Sequence, residues 1–353
     1  MLTRSGRKVL FWSSVVIFIA MIPVAILYAL GYRLDDAWSL KKTGAVYVSA
    51  EIPGSEIYVD GEFERRTNLL QSGVFVDNLS PGAYEILVLN QNYFPWKKKL
   101  EVRSQLVTEA QSFLVPVQTN AKILLRGKFS NLRASPSDPL IILTEEKSGL
   151  PTGQAGEKIL RWYLPLSQEF LSDTGSLLQY EKSFEVVRWL PEGVILKLDG
   201  QIYQARFNLS RNTATIVPPG GVLGSKSPEE IAENLQRKDS RGELLIQYSP
   251  ENKTLGAKWI SESEPPRYFS GREETLLANH LIKNFEIYTG RRDIVIAAFD
   301  NGIWAIEIDG RGGRIIQPIY KGGEPDFAIV SGRKELYILD GGILFAASLT
   351  AED

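Results

Sequence analysis

The sequence predicts a mostly β chain: an all-β body in two domains behind one N-terminal helix of membrane length. Three observations carry this. Residues 9–32 hold no charge. Beyond them, short apolar runs alternate with Gly, Pro, Asp and Asn turns, which is the pattern of antiparallel strands. No long segment after residue 120 repeats its apolar residues with helical period, so hairpins are the expected local unit.

The apolar run at 9–30 would span about 33 Å as a helix at ~1.5 Å per residue, matching a bilayer core. Residues 9–31 are therefore assigned to the membrane and the lipid bilayer is the first expected partner. Arg4, Arg7 and Lys8 precede the run and Asp35 and Asp36 follow it. The excess of cations on the N-terminal side places residues 1–8 in the cytoplasm and the body outside. Trp12 and Tyr28 suit the two interfaces, and Pro23 is tolerated inside a membrane helix. Two rivals are a cleaved secretory signal and a buried core helix. Ala29-Leu30-Gly31 offers small residues for cleavage, yet the run is longer than the ~7–15 residues of a signal core, which favours an uncleaved anchor.

After a linker at 32–43, strands are expected at 45–49, 56–59, 74–76, 84–89, 97–102 and 113–117. Pro53-Gly54 and Pro81-Gly82 mark bends, and Asp60-Gly61 is a two-residue hairpin signal because both residues accept positive φ. The stretch IPGSEIYVDGEFERRT (52–67), followed by NLSPGAYEILVLNQNYFPWKKKLEV (78–102), resembles the PEGA domain, a small β-sandwich of bacterial surface proteins. The resemblance covers about residues 44–117. It rests on Pro53, Tyr58, Val59, Asp60, Gly61, Thr67, Leu79, Pro81, Gly82, Tyr84, Tyr93 and Trp96. Gly54-Ser55 departs from the namesake turn, and Arg66 and Asn92 stand where glycines are usual. Asparagine is the next most tolerant residue for a left-handed conformation. The resemblance implies a spacer or interaction module and carries no catalytic residue. Tyr93, Phe94 and Trp96 could stack on a glycan or partner, but closing the core is the stronger reading for such large aromatics.

From 121 to 353 a faint repeat recurs: LKLDGQIYQARF (196–207), AAFDNGIWAIEI (297–308) and YILDGGILFAAS (337–348). Each is a strand, an Asp-led turn and a second strand. Hairpins at 244–260, turning near Pro250-Glu251-Asn252, and at 140–164, with a long loop over 145–157, extend the series. Spacings of about 40–50 residues suit blades of four short strands, so a β-propeller-like domain of about five blades is expected. It could close by pairing the strand near 122–125 with the last blade. The resemblance to WD-repeat-like folds is architectural only. Ser227-Pro228-Glu229-Glu230, with Ile231 and Leu235, marks a short capped helix that ends near Asp239 and follows a loop at 218–221, and His280 falls in a second possible short helix over 276–282.

Composition narrows function. The chain has 353 residues, a formal net charge of −2, no cysteine and one histidine. Disulfides, thiolate metal sites and cysteine nucleophiles are excluded, and no basic surplus points to nucleic acid. Gly310-Arg311-Gly312-Gly313 lies between two strands instead of opening a helix, so it lacks the context of a phosphate loop. Asp199, Asp300 and Asp340 are candidate carboxylates for a glycan hydrolase or lyase at a propeller mouth. Their equivalent places in three turns instead suggest local backbone duty. The sequence assigns no catalytic, cofactor-binding or metal-binding residue and leaves binding residues unassigned. The expectation is a noncatalytic, single-pass cell-envelope protein that presents an extracytoplasmic surface to a protein or glycan. A glycan-active enzyme and an envelope assembly factor are the alternatives.

Overall fold

The computed structural model describes residues 4–29, 31–34, 40–146, 158–173, 178–217, 235–330 and 335–349. Among these are one long helix and, apart from a single 3-10 turn at Leu209–Arg211, only strands. The chain divides into two compact units, the first Met1–Leu114 with Arg311–Gly313 and the second Val115–Gly310 with Arg314–Asp353.

The helix of the first unit runs Arg4–Ala29, and its stretch Leu10–Ala29 is long and apolar enough to cross a membrane and is not buried by protein. Ser13 and Ser14 donate back to the Leu10 carbonyl at 2.9 Å, which satisfies their hydroxyls without water. Gly31 ends the helix in the left-handed region, φ 75°, with its N–H on the Tyr28 carbonyl, as a C-terminal glycine does. Arg33 lays its guanidinium 3.6 Å from the Tyr28 ring centre. Within the expected linker, Tyr32–Leu34 pairs antiparallel to Leu40–Lys42.

Two sheets follow. A three-stranded sheet has the order Gly73–Leu79, Gly44–Ala50, Val107–Ser112, and a four-stranded sheet the order Glu62–Arg66, Glu56–Val59, Gly82–Leu89, Trp96–Val102. Alternate residues are buried, including Val46, Val48, Ile57, Val59, Ile86, Val88, Trp96, Leu100 and Val102, as expected of strands with one face on a core. Asp60 and Gly61 take φ 48° and 82°, and Asn92 takes φ 68°. One expected strand is displaced: 113–117 is not a strand, and the chain pairs instead at Val107–Ser112, parallel to Gly44–Ala50. Phe113, Leu114 and Val115 are buried while the segment keeps only an isolated bridge at Pro116, so apolar content there reports the core and not a strand.

Among the described residues the second unit holds five sheets of four or five strands, built mainly of antiparallel neighbours. The first contains Phe129–Ala134, Ile141–Glu146, Lys158–Leu164 and Glu169–Phe170, with Gln179–Tyr180 beside the third. The second contains Phe184–Leu190, Gly193–Leu198, Gln201–Asn208 and Thr213–Val217, with Ser172–Asp173 parallel to the last. The third runs Gln236–Lys238, Leu244–Ser249, Thr254–Trp259, Glu273–Leu277, and the fourth Asn284–Ile287, Ile294–Phe299, Gly302–Glu307, Ile316–Lys321. The fifth takes Asp326–Ile329, Leu336–Asp340 and Ile343–Ala347 from the end of the unit and Ala121–Arg126 from its beginning. That pairing ties the two ends of the unit into one sheet.

Apolar cores join neighbouring sheets. Trp162 and Leu160 of the first pack with Leu196 and Phe207 of the second. Tyr163 and Leu143 of the first also pack with Ala328 and Leu339 of the fifth. Trp259 and Ile246 of the third pack with Phe285 and Ile306 of the fourth. The segment 276–282 is not helical: the strand Glu273–Leu277 runs into a bend with Asn279 at φ 62°. The loop at 218–221 and the start of the helix expected from 227 lie outside the described residues, as does most of the loop at 145–157; the expected end of that helix, near Asp239, is instead the strand Gln236–Lys238, which pairs with Leu244–Ser249.

Candidate functional site

The three repeat aspartates have different partners, and only Asp199 and Asp300 open their turns. Asp199 opens its two-residue turn at φ 47° and accepts backbone N–H groups from Glu181, Lys182 and Ser183 at 2.7–2.8 Å. Those donors hold its carboxyl below the usual carboxylate range, because hydrogen bonds to the charged form favour it. Asp300 lies 3.3 Å from the Lys283 ammonium. Asp340 precedes its turn, whose residues are Gly341 and Gly342, and accepts the Tyr320 hydroxyl at 3.0 Å. Burial, then the neighbouring Asp340 carboxylate, pushes that phenol up to about 12. The Asp300 and Asp340 turns are neighbours: the Gly322 N–H bonds the Asn301 carbonyl, and a Cβ on Gly322 would meet the Asp340 carboxylate.

His280 is exposed, with Nδ1 2.7 Å from the Ala278 carbonyl and its ring edge-on to Phe299. Tyr93 and Trp96 are core residues, so the aromatic element closes the first unit. Gly310–Gly313 connects the strands Gly302–Glu307 and Ile316–Lys321, with Gly312 and Gly313 at positive φ. Among the described residues no group of three or more His, Cys, Asp or Glu could hold a metal ion.

What the fold does assemble lies on the edge strands that begin successive sheets. Arg133 of the first sheet donates to Asp326 of the fifth at 3.0 Å. Asn284 of the fourth donates to Asp326 at 2.9 Å and to the Phe327 carbonyl at 2.7 Å. Arg237 of the third meets Glu286 of the fourth at 2.5 Å. These polar side chains stitch the sheets in the order first, fifth, fourth, third. Phe285 and Phe327, between the polar positions, are buried, so each strand divides its faces between core and stitch.

Glu286 has its pKa raised, chiefly by desolvation, with Arg237 opposing. Its side chain is still 35% open to water. A second set of stitches joins the third and fourth sheets. Arg292 pairs with Asp239 at 2.5 Å and Glu243 at 2.7 Å and lies over the Trp259 ring, while Arg314 pairs with Glu274 at 3.1 Å. Arg291 and Asp293 form a buried bidentate pair at 2.7–2.8 Å.

Sequence reasoning did not find the edge-strand cluster. One signal was present: Asn284-Phe285-Glu286-Ile287 and Asp326-Phe327-Ala328-Ile329 share a polar residue, Phe and Ile at the same spacing, and mark the same place in two sheets.

No protein-family model matches this chain, and no curated protein sequence matches it. Among solved structures, the chain is similar to Kluyveromyces lactis Hsv2 at 10% sequence identity, over 72% of this chain and 68% of that one, with a TM-score of 0.22. It is also similar to KlHsv2 with loop 6CD replaced by a Gly-Ser linker, at 10% identity over 73% and 86% of the two chains, with a TM-score of 0.30.

Proposed function

We propose that the protein is a noncatalytic, single-pass envelope protein whose helix anchors an extracytoplasmic body that binds or scaffolds a protein or glycan partner. The observation that carries this reading is how the candidate chemistry is used. Asp199 serves backbone donors, Asp300 faces a lysine, Asp340 holds a phenol, and the edge-strand ions pair across sheets. A glycosidase needs two free carboxylates facing one bond, whereas each sequence candidate is engaged by its own neighbours. The uncovered helix supports the anchor, and the cations before it and acids after it support an outside body.

In this reading residues 44–117 are a PEGA-like sandwich acting as a spacer, and the five sheets of the second unit are the blades of a propeller. Stitches and shared cores link the sheets in the order second, first, fifth, fourth, third, so one further contact, between the second and third, closes the ring. Pairing of Ala121–Arg126 with the last sheet is the device by which such rings are fastened. Crosslinking in intact cells tests the function. Adducts to an envelope protein or glycan are expected, whereas adducts only to cytoplasmic proteins, or cleavage of envelope glycan by the purified chain, would overturn it.

A further inference from the structure

Leu69 and Leu70 are the most exposed large apolar residues described, 89% and 95% open to solvent. Among the large apolar residues described in the membrane helix the most exposed is Phe18, at 69%, although that helix has a bilayer to cover it. The leucines are also held in place. Asn68 and Gln71 exchange backbone N–H and carbonyl bonds, and the Asn68 Oδ1 accepts the N–H groups of Leu70 and Gln71, both at 2.9 Å. Arg65 braces the loop from the side, donating to Gln71 Oε1 at 2.6 Å. Thr67 fixes its base, donating to the Ile52 carbonyl and accepting from the Ser55 N–H, both at 3.0 Å. A four-residue loop built this way presents two leucines outward as a fixed knob.

The apolar surface continues along the chain. Phe75, 56% exposed, pairs across strands with Tyr47 on the outer face of the three-stranded sheet. Gly73 between knob and Phe75 lies so close under the Tyr47 hydroxyl that a Cβ there would come within 2.8 Å. Together the four side chains open on the order of 500 Å² of apolar surface, at the upper end of what a monomer leaves uncovered.

The position of the knob selects its occupant. Thr43, just before the strand Gly44–Ala50, bonds Gly31 at the end of the helix, while Ala50 at the other end of that strand bonds Ser72 beside the knob. The knob is thus separated from the end of the helix by the length of the strand, about 20 Å at ~3.3 Å per residue. Two copies anchored by the same helix in one membrane carry their knobs at one height, the geometry of a self-complementary two-fold contact. Doubling the patch gives ~1,000 Å², the area at which a specific interface begins. Both signs of charge flank it, Glu62 and Glu64 with Arg65 and Arg66 on one exposed strand, as a surface meeting itself requires.

We propose that the Leu69–Leu70 knob, with Phe75 and Tyr47, is a self-association surface through which two membrane-anchored copies form a parallel dimer. The proposal rests on the anchor reading, and one experiment separates the two. The chain has no cysteine, so Leu70→Cys in the full-length protein is a single reporter, with Glu101→Cys on the exposed face of the strand Trp96–Val102 as control. After mild oxidation of native membranes, Leu70→Cys is expected to give a covalent dimer at least tenfold more abundant than Glu101→Cys. Adding Leu69→Arg should abolish it while leaving the protein level unchanged. Equal dimer yield from both positions, crosslinks from Cys at 70 only to a different protein, or no crosslink from membrane-integral chain would each overturn the proposal. Alkaline carbonate extraction decides the anchor independently: release of the chain refutes the anchor, whatever the dimer band shows.

Discussion

The two units handle exposed side chains in opposite ways. The first leaves a concentrated apolar surface open, Leu69, Leu70, Phe75 and Tyr47, on a loop and a sheet face that are rigidly supported. In the second, exposed apolar residues such as Val117, Leu166, Leu281 and Ile316 are scattered through the sequence, and the notable polar groups face one another across sheets. The contrast separates two tasks. Scattered apolar residues need no explanation, whereas a clustered, preorganised patch marks a contact; paired ions between sheets set which sheet meets which. Architecture is concentrated in the second unit and the free contact surface in the first.

The largest expected effect tests the architecture. Trp162 is fully buried, its ring 5.1 Å from Phe207 of the next sheet, and Trp162→Ala should cost about 3–5 kcal/mol as a cavity opens. Denaturant unfolding followed by circular dichroism should show the transition of the second unit moving while that of the first stays. Next, Asp326→Ala removes the acceptor shared by Arg133 and Asn284, and should cost about 1–2 kcal/mol, reduced because Arg133 is half exposed. Asp326→Asn, which keeps an acceptor, should recover part of the loss in the same assay.

A smaller effect follows from Glu286. Its folded-state pKa is raised above the ordinary value of 4.5, so its stabilising contribution is complete below about 4.5 and is lost as pH rises through the raised value. Glu286→Gln cannot titrate. The stability difference, variant minus wild type, should therefore grow as pH rises from 4 and then level off; a difference that shrinks over that range would mean that Arg237 outweighs desolvation. Smallest of all, Leu70→Ser should change monomer stability by no more than ~0.5 kcal/mol, because the side chain touches water. A larger loss would show that the knob is structural, erasing the contrast between the units.

Local chemistry was legible in the sequence. Asp60-Gly61 and Asn92 take positive φ as their residue types allow, and the hairpins at 244–260 and 140–164 pair as their turns suggest. Features set at long range were not. The strand Val107–Ser112 has an outward polar set, and its partner lies about sixty residues away, as the bond from Ser112 Oγ to the Ser49 carbonyl shows; the apolar run just after it drew the expectation instead. The edge-strand ions were hidden because each is an ordinary charged residue until the sheets meet. Leu69 and Leu70 were hidden for the opposite reason. Apolar residues suggest core, and only the hydrogen bonds of Asn68 turn them outward.

The account stands or falls on which side of the membrane the body occupies. A membrane-impermeant maleimide applied to intact cells measures this directly, because each introduced cysteine is the only one present. The account predicts that Leu70→Cys is labelled without permeabilisation and that Ser5→Cys is labelled only after it. Labelling of Ser5→Cys from outside, with Leu70→Cys protected until lysis, would contradict it.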